Sequence, residues 1–121
     1  MKELEPRVIK LLKDIYINAN RTVDRLEDET LESFTNGANF DIQDAAARRL
    51  TIIGEAAAAL LKKHQEFCDL HPEIQLQLAR AMRNKLVHNY DGVDWITVWD
   101  TVKEHLPQLI DAIEPFLENK S

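Results

Sequence analysis

Apolar side chains recur at steps of three and four from the start of the chain. Leu4, Val8, Leu11, Leu12, Ile15, Ala19, Val23 and Leu26 form one stripe, while Lys10, Lys13, Asp14, Asn20 and Asp24 occupy other faces. That period belongs to an α-helix with one buried side, and it predicts a long amphipathic first helix. Residues 28–39 break it with acids and turn formers, so they read as a connector with a short helical turn around Leu31. Phe34 and Phe40 are expected to plug the end of a bundle. A second helix is predicted from Asp41 as N-cap, burying Ile42, Ala45, Ala46, Leu50, Ile53, Ala57, Leu60 and Leu61. Lys62, Lys63 and His64 then stand at the end that favours positive charge.

The alanine runs at 45–47 and 56–59 are too small to fill wide gaps and suit close helix approach. Gly54 lies between them at a cost of about 1 kcal/mol in helix propensity, which predicts that another backbone comes near it. His71-Pro72-Glu73 reads as the start of a third helix, with Pro72 where a missing N–H does no harm. Ile74, Leu78, Ala81, Met82 and Leu86 make its buried stripe, and Gly92 its stop. Asp94 is expected to cap a fourth helix bearing Trp95, Val98, Trp99, Val102 and Leu106. Pro107 should kink or divide that helix, and the tail continues with Leu109, Ile110, Ile113, Phe116 and Leu117. The expected fold is all-α, an antiparallel bundle of four to five helices, with no strands.

Composition narrows the picture without changing it. A chain of 121 residues fits one domain, since domains commonly run to about 100–150 residues. Hydrophobic residues at 45%, charged residues at 30% and only three glycines lean towards helices and away from a turn-rich β-architecture. The net charge of -6 argues against coating nucleic acid by general attraction, because such binding rests on many lysines and arginines. Any RNA site must be a local basic patch. Cys68 is the only cysteine, which excludes an intramolecular disulfide and a multi-cysteine zinc site and suits a reducing cytoplasm. No apolar run reaches the roughly 18–20 residues that span a bilayer, and Met1-Lys2-Glu3-Leu4-Glu5-Pro6 lacks the apolar core of a signal peptide. An intracellular protein without membrane contact is expected.

The chemistry concentrates in Arg83-Asn84-Lys85-Leu86-Val87-His88-Asn89-Tyr90, near the end of the third helix. Arginine offers a fixed fork of donors to a phosphate, and histidine moves protons near neutrality. Basic residues also serve simply to complement a helix dipole. At about 100° per residue, Asn84 and His88 share a face, Arg83 and Tyr90 are nearly eclipsed, and Arg83 and His88 stand roughly 140° apart. The cation and the imidazole therefore converge on one phosphate only if the helix unwinds near His88 or a two-fold homodimer brings in a second copy.

This motif resembles the Arg-x4-His-x-Tyr signature of the HepT-like toxins, a branch of the HEPN superfamily of small helical ribonucleases. The likeness extends through Arg48-Arg49-Leu50-Thr51-Ile52-Ile53-Gly54-Glu55-Ala56-Ala57, His71-Pro72-Glu73-Ile74 and Leu106-Pro107, so a single HEPN domain over residues 1–121 is expected. The resemblance implies a two-fold homodimer whose motifs line a cleft, acting as a metal-independent endoribonuclease on cellular RNA (tRNA or mRNA) with no cofactor. It also implies a cognate MntA-type minimal nucleotidyltransferase antitoxin that transfers AMP from ATP onto the motif tyrosine. Carried over by position, Arg83 and His88 are the catalytic pair, Asn84 supports them, and Tyr90 accepts the AMP. The competing reading is a non-catalytic helical companion that helps a nucleotidyltransferase bind its substrate.

Other candidates have plainer explanations. Lys85, inside the motif, is either a phosphate contact or a solvated cation, Arg80, one turn before Asn84, either widens a basic groove or pairs with an acid, and adjacent Arg48 and Arg49 diverge so that at most one faces a cleft. Glu55 is either an anchor for an arginine across a dimer or a surface acid. His64, His71 and His105 lack partners at metal-ligand spacing and read as capping or surface residues, Trp95 and Trp99 read as core or interface anchors, and Asp91 and Asp94 read as a turn and an N-cap.

Overall fold

In the computed structural model, which describes residues 4–37 and 40–118, every regular element among those residues is helical. Met1, Lys2 and Glu3 and the connector residues Ala38 and Asn39 lie outside them. Helix α1 spans Pro6–Arg25, with Pro6 in its first turn, where its missing N–H costs nothing. It buries Val8, Leu11, Leu12, Ile15 and Ala19, the stripe its period predicts. The buried Thr22 satisfies its hydroxyl by donating to the Asn18 carbonyl at 2.7 Å.

A short helix α2, Leu31–Thr35, starts at a capping box in which Thr30 and Ser33 each accept from the other's backbone N–H. Its purpose is Phe34, which is fully buried with its ring 6.0 Å from Trp95 and 5.6 Å from Trp99. Such burial is worth about 1.5–3 kcal/mol. Of the two expected readings, core or interface anchors, the half-buried Trp95 and Trp99 take the first, packed against the core. Phe40 is not a plug: it begins helix α3 and is 65% exposed. Helix α3 spans Phe40–Lys63, which places Asp41 in its first turn rather than at the N-cap, where the carboxylate still meets the positive helix end. The buried Gln43 joins α2 to α3 by donating to the Phe34 carbonyl at 2.9 Å.

Contacts at both ends make α1 and α3 antiparallel: Arg49 donates to Asn18 at 3.0 Å near one end, and His64 lies 3.7 Å from Glu5 at the other. Helix α3 also packs against the motif-bearing helix, and α1 against the last helix. Tyr16 meets Glu114 at 3.3 Å, while Lys103 donates to the Leu26 carbonyl at 2.9 Å and lies over the Trp99 ring. Those two contacts run in opposite chain directions, so the antiparallel bundle is as predicted.

The third predicted helix starts later than expected. Helix α4, Gln65–Leu70, is followed by a 3-10 turn at Pro72–Ile74, and Gln75 then takes a left-handed backbone (φ 56°) before α5 begins at Leu76. Burial of Ile74 anchors that turn, so Pro72 opens the turn and not the long helix. Helix α5, Leu76–His88, stops four residues before Gly92. Asp94 caps α6, Trp95–Asp100, by accepting from the Ile96 N–H at 3.0 Å. A π turn at Thr101–His105 leads into α7, Leu106–Glu118, with helical dihedrals at Thr101 and Leu106. Pro107 has no N–H for the carbonyl four residues back, inside the π turn, so the helix widens at the place where a kink or a division is expected. Pro115 lies within α7 as well.

Candidate active site

Helix α5 is two-sided because its sequence is. Leu76, Met82 and Leu86 are buried on the bundle, whereas Arg80, Asn84, Lys85 and His88 are exposed. Arg83 lies between the two sides, half-buried. A Cβ added at Gly54 would overlap the Arg83 Cβ and lie 2.8 Å from both the Arg83 Cγ and the Ala79 carbonyl oxygen. Gly54 is therefore the seat of the arginine: only a residue without a side chain lets α5 come this close. The close approach expected at Gly54 is real, and it serves the motif.

Seated there, Arg83 has its Nε buried with no hydrogen-bond partner, and its Nη1 donates to Asn84 Oδ1 at 3.1 Å. Among the described residues Arg48, Arg80, Arg83 and Lys85 form no ion pair. In a chain with an excess of acids, these four cations on α3 and α5 are left without a carboxylate partner among those residues. His88 ends α5, exposed, with no side-chain hydrogen bond among the described residues.

Two groupings expected from helical phase are corrected. The amide of Asn84 engages Arg83, its neighbour, rather than His88: its Oδ1 accepts from the arginine Nη1. Tyr90 is not eclipsed with Arg83, since the helix has ended: Asn89 adopts φ -151° and ψ 56°, and Tyr90 opens a 3-10 turn reaching Gly92. The tyrosine swings to α3, where its hydroxyl donates to Asp44 Oδ1 and its ring stands edge-on to Trp95 at 5.8 Å. Partial burial, the hydrogen bond to Asp44 and the charges of Asp44 and Asp91 push the phenol pKa up to about 12. At neutral pH it keeps its proton and offers it to Asp44.

Helix α5 stays regular through His88, so the unwinding that could have brought Arg83 and His88 together within one subunit is absent. Asp44 is a site neighbour that the sequence does not single out. Forty-six positions separate it from Tyr90, and no local spacing marks such a pair. Of the two adjacent arginines, Arg49 turns to Asn18 and Arg48 remains exposed. Lys85 and His105 stand on the rim of a groove of about 220 Å³ floored by Ile53 and Leu106. His71 packs between Phe67 and Phe116. Among the described residues no three His, Cys, Asp or Glu side chains gather to hold a metal ion, and no helix is long and apolar enough to cross a membrane.

A family model described as "Ribonuclease HepT-like" matches residues 8–116, which takes in Gly54, Asp44 and the whole motif. The chain belongs to the HepT-like ribonuclease family. Among curated relatives, "Probable ribonuclease HepT" of Thermococcus cleftensis is 41% identical over 103 residues, covering 75% of this chain and 91% of its own. "Putative RNase MJ0125" of Methanocaldococcus jannaschii is 33% identical over 108 residues, 89% of each chain. No solved structure matches the chain. The family membership agrees with the resemblance carried by the motif and its flanking blocks, and the helical architecture agrees with it too.

Proposed function

We propose that this HepT-like chain is the toxin of a toxin–antitoxin pair, a metal-independent endoribonuclease that works as a two-fold homodimer and is silenced by AMP transfer to Tyr90. The observation that carries the reading is the state of the two motif side chains. Arg83 is seated on Gly54 with no carboxylate to neutralise it, and His88 stands exposed and unengaged at the end of the same helix. Relatives bearing ribonuclease names give the reaction class.

In this mechanism Arg83 holds the scissile phosphate and stabilises the charge that develops on it. Asn84 keeps the guanidinium turned along the helix. His88 takes the proton of an RNA 2′-hydroxyl or returns one to the leaving 5′-oxygen. In-line attack by the 2′-oxygen gives a cyclic phosphate, and DNA is spared because it lacks the nucleophile. Because Arg83 and His88 point about 140° apart on one helix, the working site joins Arg83 of one copy to His88 of the other. AMP on Tyr90 brings phosphate charge and a base beside this cleft, where they compete with RNA.

The test is RNA cleavage with a chelator present, by the wild-type chain, by Arg83→Ala, by His88→Ala and by the two variants mixed under subunit exchange. Wild type should cut and leave cyclic phosphate ends, each variant should not, and the mixture should regain cleavage from one complete composite site. Full cleavage by either variant overturns the residue assignment, and a mixture that stays inactive overturns the shared site. If none of the samples cuts RNA, the chain is instead the non-catalytic companion of a nucleotidyltransferase.

A further inference from the structure

The cleavage mechanism proposed above makes no use of the contact between Tyr90 and Asp44, which ties the motif's last residue to a helix far away in sequence. Both side chains are exposed, the tyrosine at 41%, so an incoming protein can reach the pair. The hydroxyl hydrogen points to Asp44 Oδ1, which leaves the oxygen's lone pairs turned away from α3. The Trp95 ring packs against the phenol ring at 5.8 Å, nearly perpendicular to it. A phenol in this setting is a poor nucleophile unless its proton is removed as it reacts, because burial and the neighbouring acids hold it protonated.

We propose that Asp44 is the proton acceptor and positioning residue for nucleotidyl transfer to Tyr90, a base supplied by the protein being modified and not by the modifying enzyme. This rests on Tyr90 being the AMP acceptor. The co-reactant is a nucleoside triphosphate delivered by the partner nucleotidyltransferase. The Tyr90 oxygen forms a bond to the α-phosphorus while its proton passes to the Asp44 carboxylate. The bond from that phosphorus to the bridging oxygen breaks, and pyrophosphate leaves with the electron pair. A hydroxyl positioned by an aspartate that takes its proton is the arrangement by which kinase substrates are activated. Once transfer is complete, the tyrosine oxygen has no hydrogen to donate, and the new phosphodiester charge is repelled by Asp44. The modified side chain is thereby released from α3.

Three elements face the phenol. Asp44 comes from α3, Asp91 from the tyrosine's own turn, and α6 presents only the uncharged Trp95 ring. Asp91 acts on the phenol through charge alone, whereas Asp44 receives its hydrogen bond. Asp44 is therefore the acceptor.

The experiment incubates the full chain with its cognate nucleotidyltransferase and ATP, follows AMP addition by intact mass, and maps the modified residue. It compares wild type with Asp44→Asn and Asp44→Glu across pH. Asp44→Asn keeps an acceptor oxygen but is not a base, so its modification at neutral pH should slow by about a hundredfold. Its rate relative to wild type should climb as pH rises and solvent begins to remove the phenol proton. Asp44→Glu should recover part of the loss, and RNA cleavage by unmodified Asp44→Asn should match wild type. Equal modification of Asp44→Asn and wild type on Tyr90 overturns the role of Asp44, as does a deficit that is the same at every pH. Absence of AMP from Tyr90 of the wild type overturns the acceptor assignment itself.

Discussion

The two ends of the motif are built in opposite ways. At Arg83 the backbone of α3 has been cleared by Gly54, so the arginine stem lies in the contact between two helices and its Nε is buried. At His88 the helix stops, the imidazole is exposed, and the chain turns away to fasten Tyr90 on Asp44. A cation that must meet a phosphate in one orientation gains from a rigid seat, since preorganised charge costs no rearrangement during reaction. Under the proposed function, a proton carrier that completes a site with another subunit gains from standing clear of its own. The contrast separates residues whose loss damages the fold from those whose loss damages only the chemistry.

The sharpest way to break that contrast is His88→Ala. Cleavage should fall by about 10²–10⁴-fold, while urea unfolding stays within about 0.5 kcal/mol of wild type because the side chain is exposed. A large loss of stability would show that His88 is part of the structure after all. Gly54→Val tests the other end. Its side chain overlaps Arg83 and the Ala79 carbonyl, so stability should drop by about 1–3 kcal/mol and cleavage should fall with it, even though no motif residue has changed. An unaltered melting temperature would mean that α3 and α5 separate easily and that Arg83 has no rigid seat.

Smaller effects sharpen the same comparison. Asn84→Ala removes the acceptor for Arg83 Nη1 and should slow cleavage by about fivefold, the worth of one hydrogen bond of about 1 kcal/mol, with stability unchanged. A much larger loss would place Asn84 in direct contact with RNA. Tyr90→Phe should leave cleavage intact and cost about 0.5 kcal/mol or less at pH 7, discounted because the 41% exposed ring is screened by water. A phenol with a raised folded pKa contributes its stability below the free value of about 10 and loses it as pH rises through about 12. The stability gap between wild type and Tyr90→Phe should therefore be constant through neutral pH and close towards pH 12. A gap that widens with pH would mean that Tyr90 ionises more readily in the folded protein than in the unfolded one.

Much of this was legible in the chain. The three-and-four period of Leu4 to Leu26 located α1, the alanines around Gly54 announced a close helix contact, and Asp94 marked the start of α6. Boundaries were harder. Pro72 looked like a helix start, but burial of Ile74 holds a separate turn there. Pro107 looked like a break, and the π turn absorbs it. Phe40 was indistinguishable from Phe34 by composition, and only packing buries one and exposes the other.

By itself, then, the sequence determined the helical class, the residues of the motif and the angular separation of Arg83 from His88, because these follow from the period of a helix along one stretch of chain. Tertiary structure alone decided which backbone Arg83 rests on, which amide it bonds and which carboxylate receives the Tyr90 hydroxyl. Those depend on where a second helix crosses and on where α5 ends, which are set by the whole core at once. The distance along the chain from Asp44 to Tyr90 carries no trace of the contact that folding makes between them.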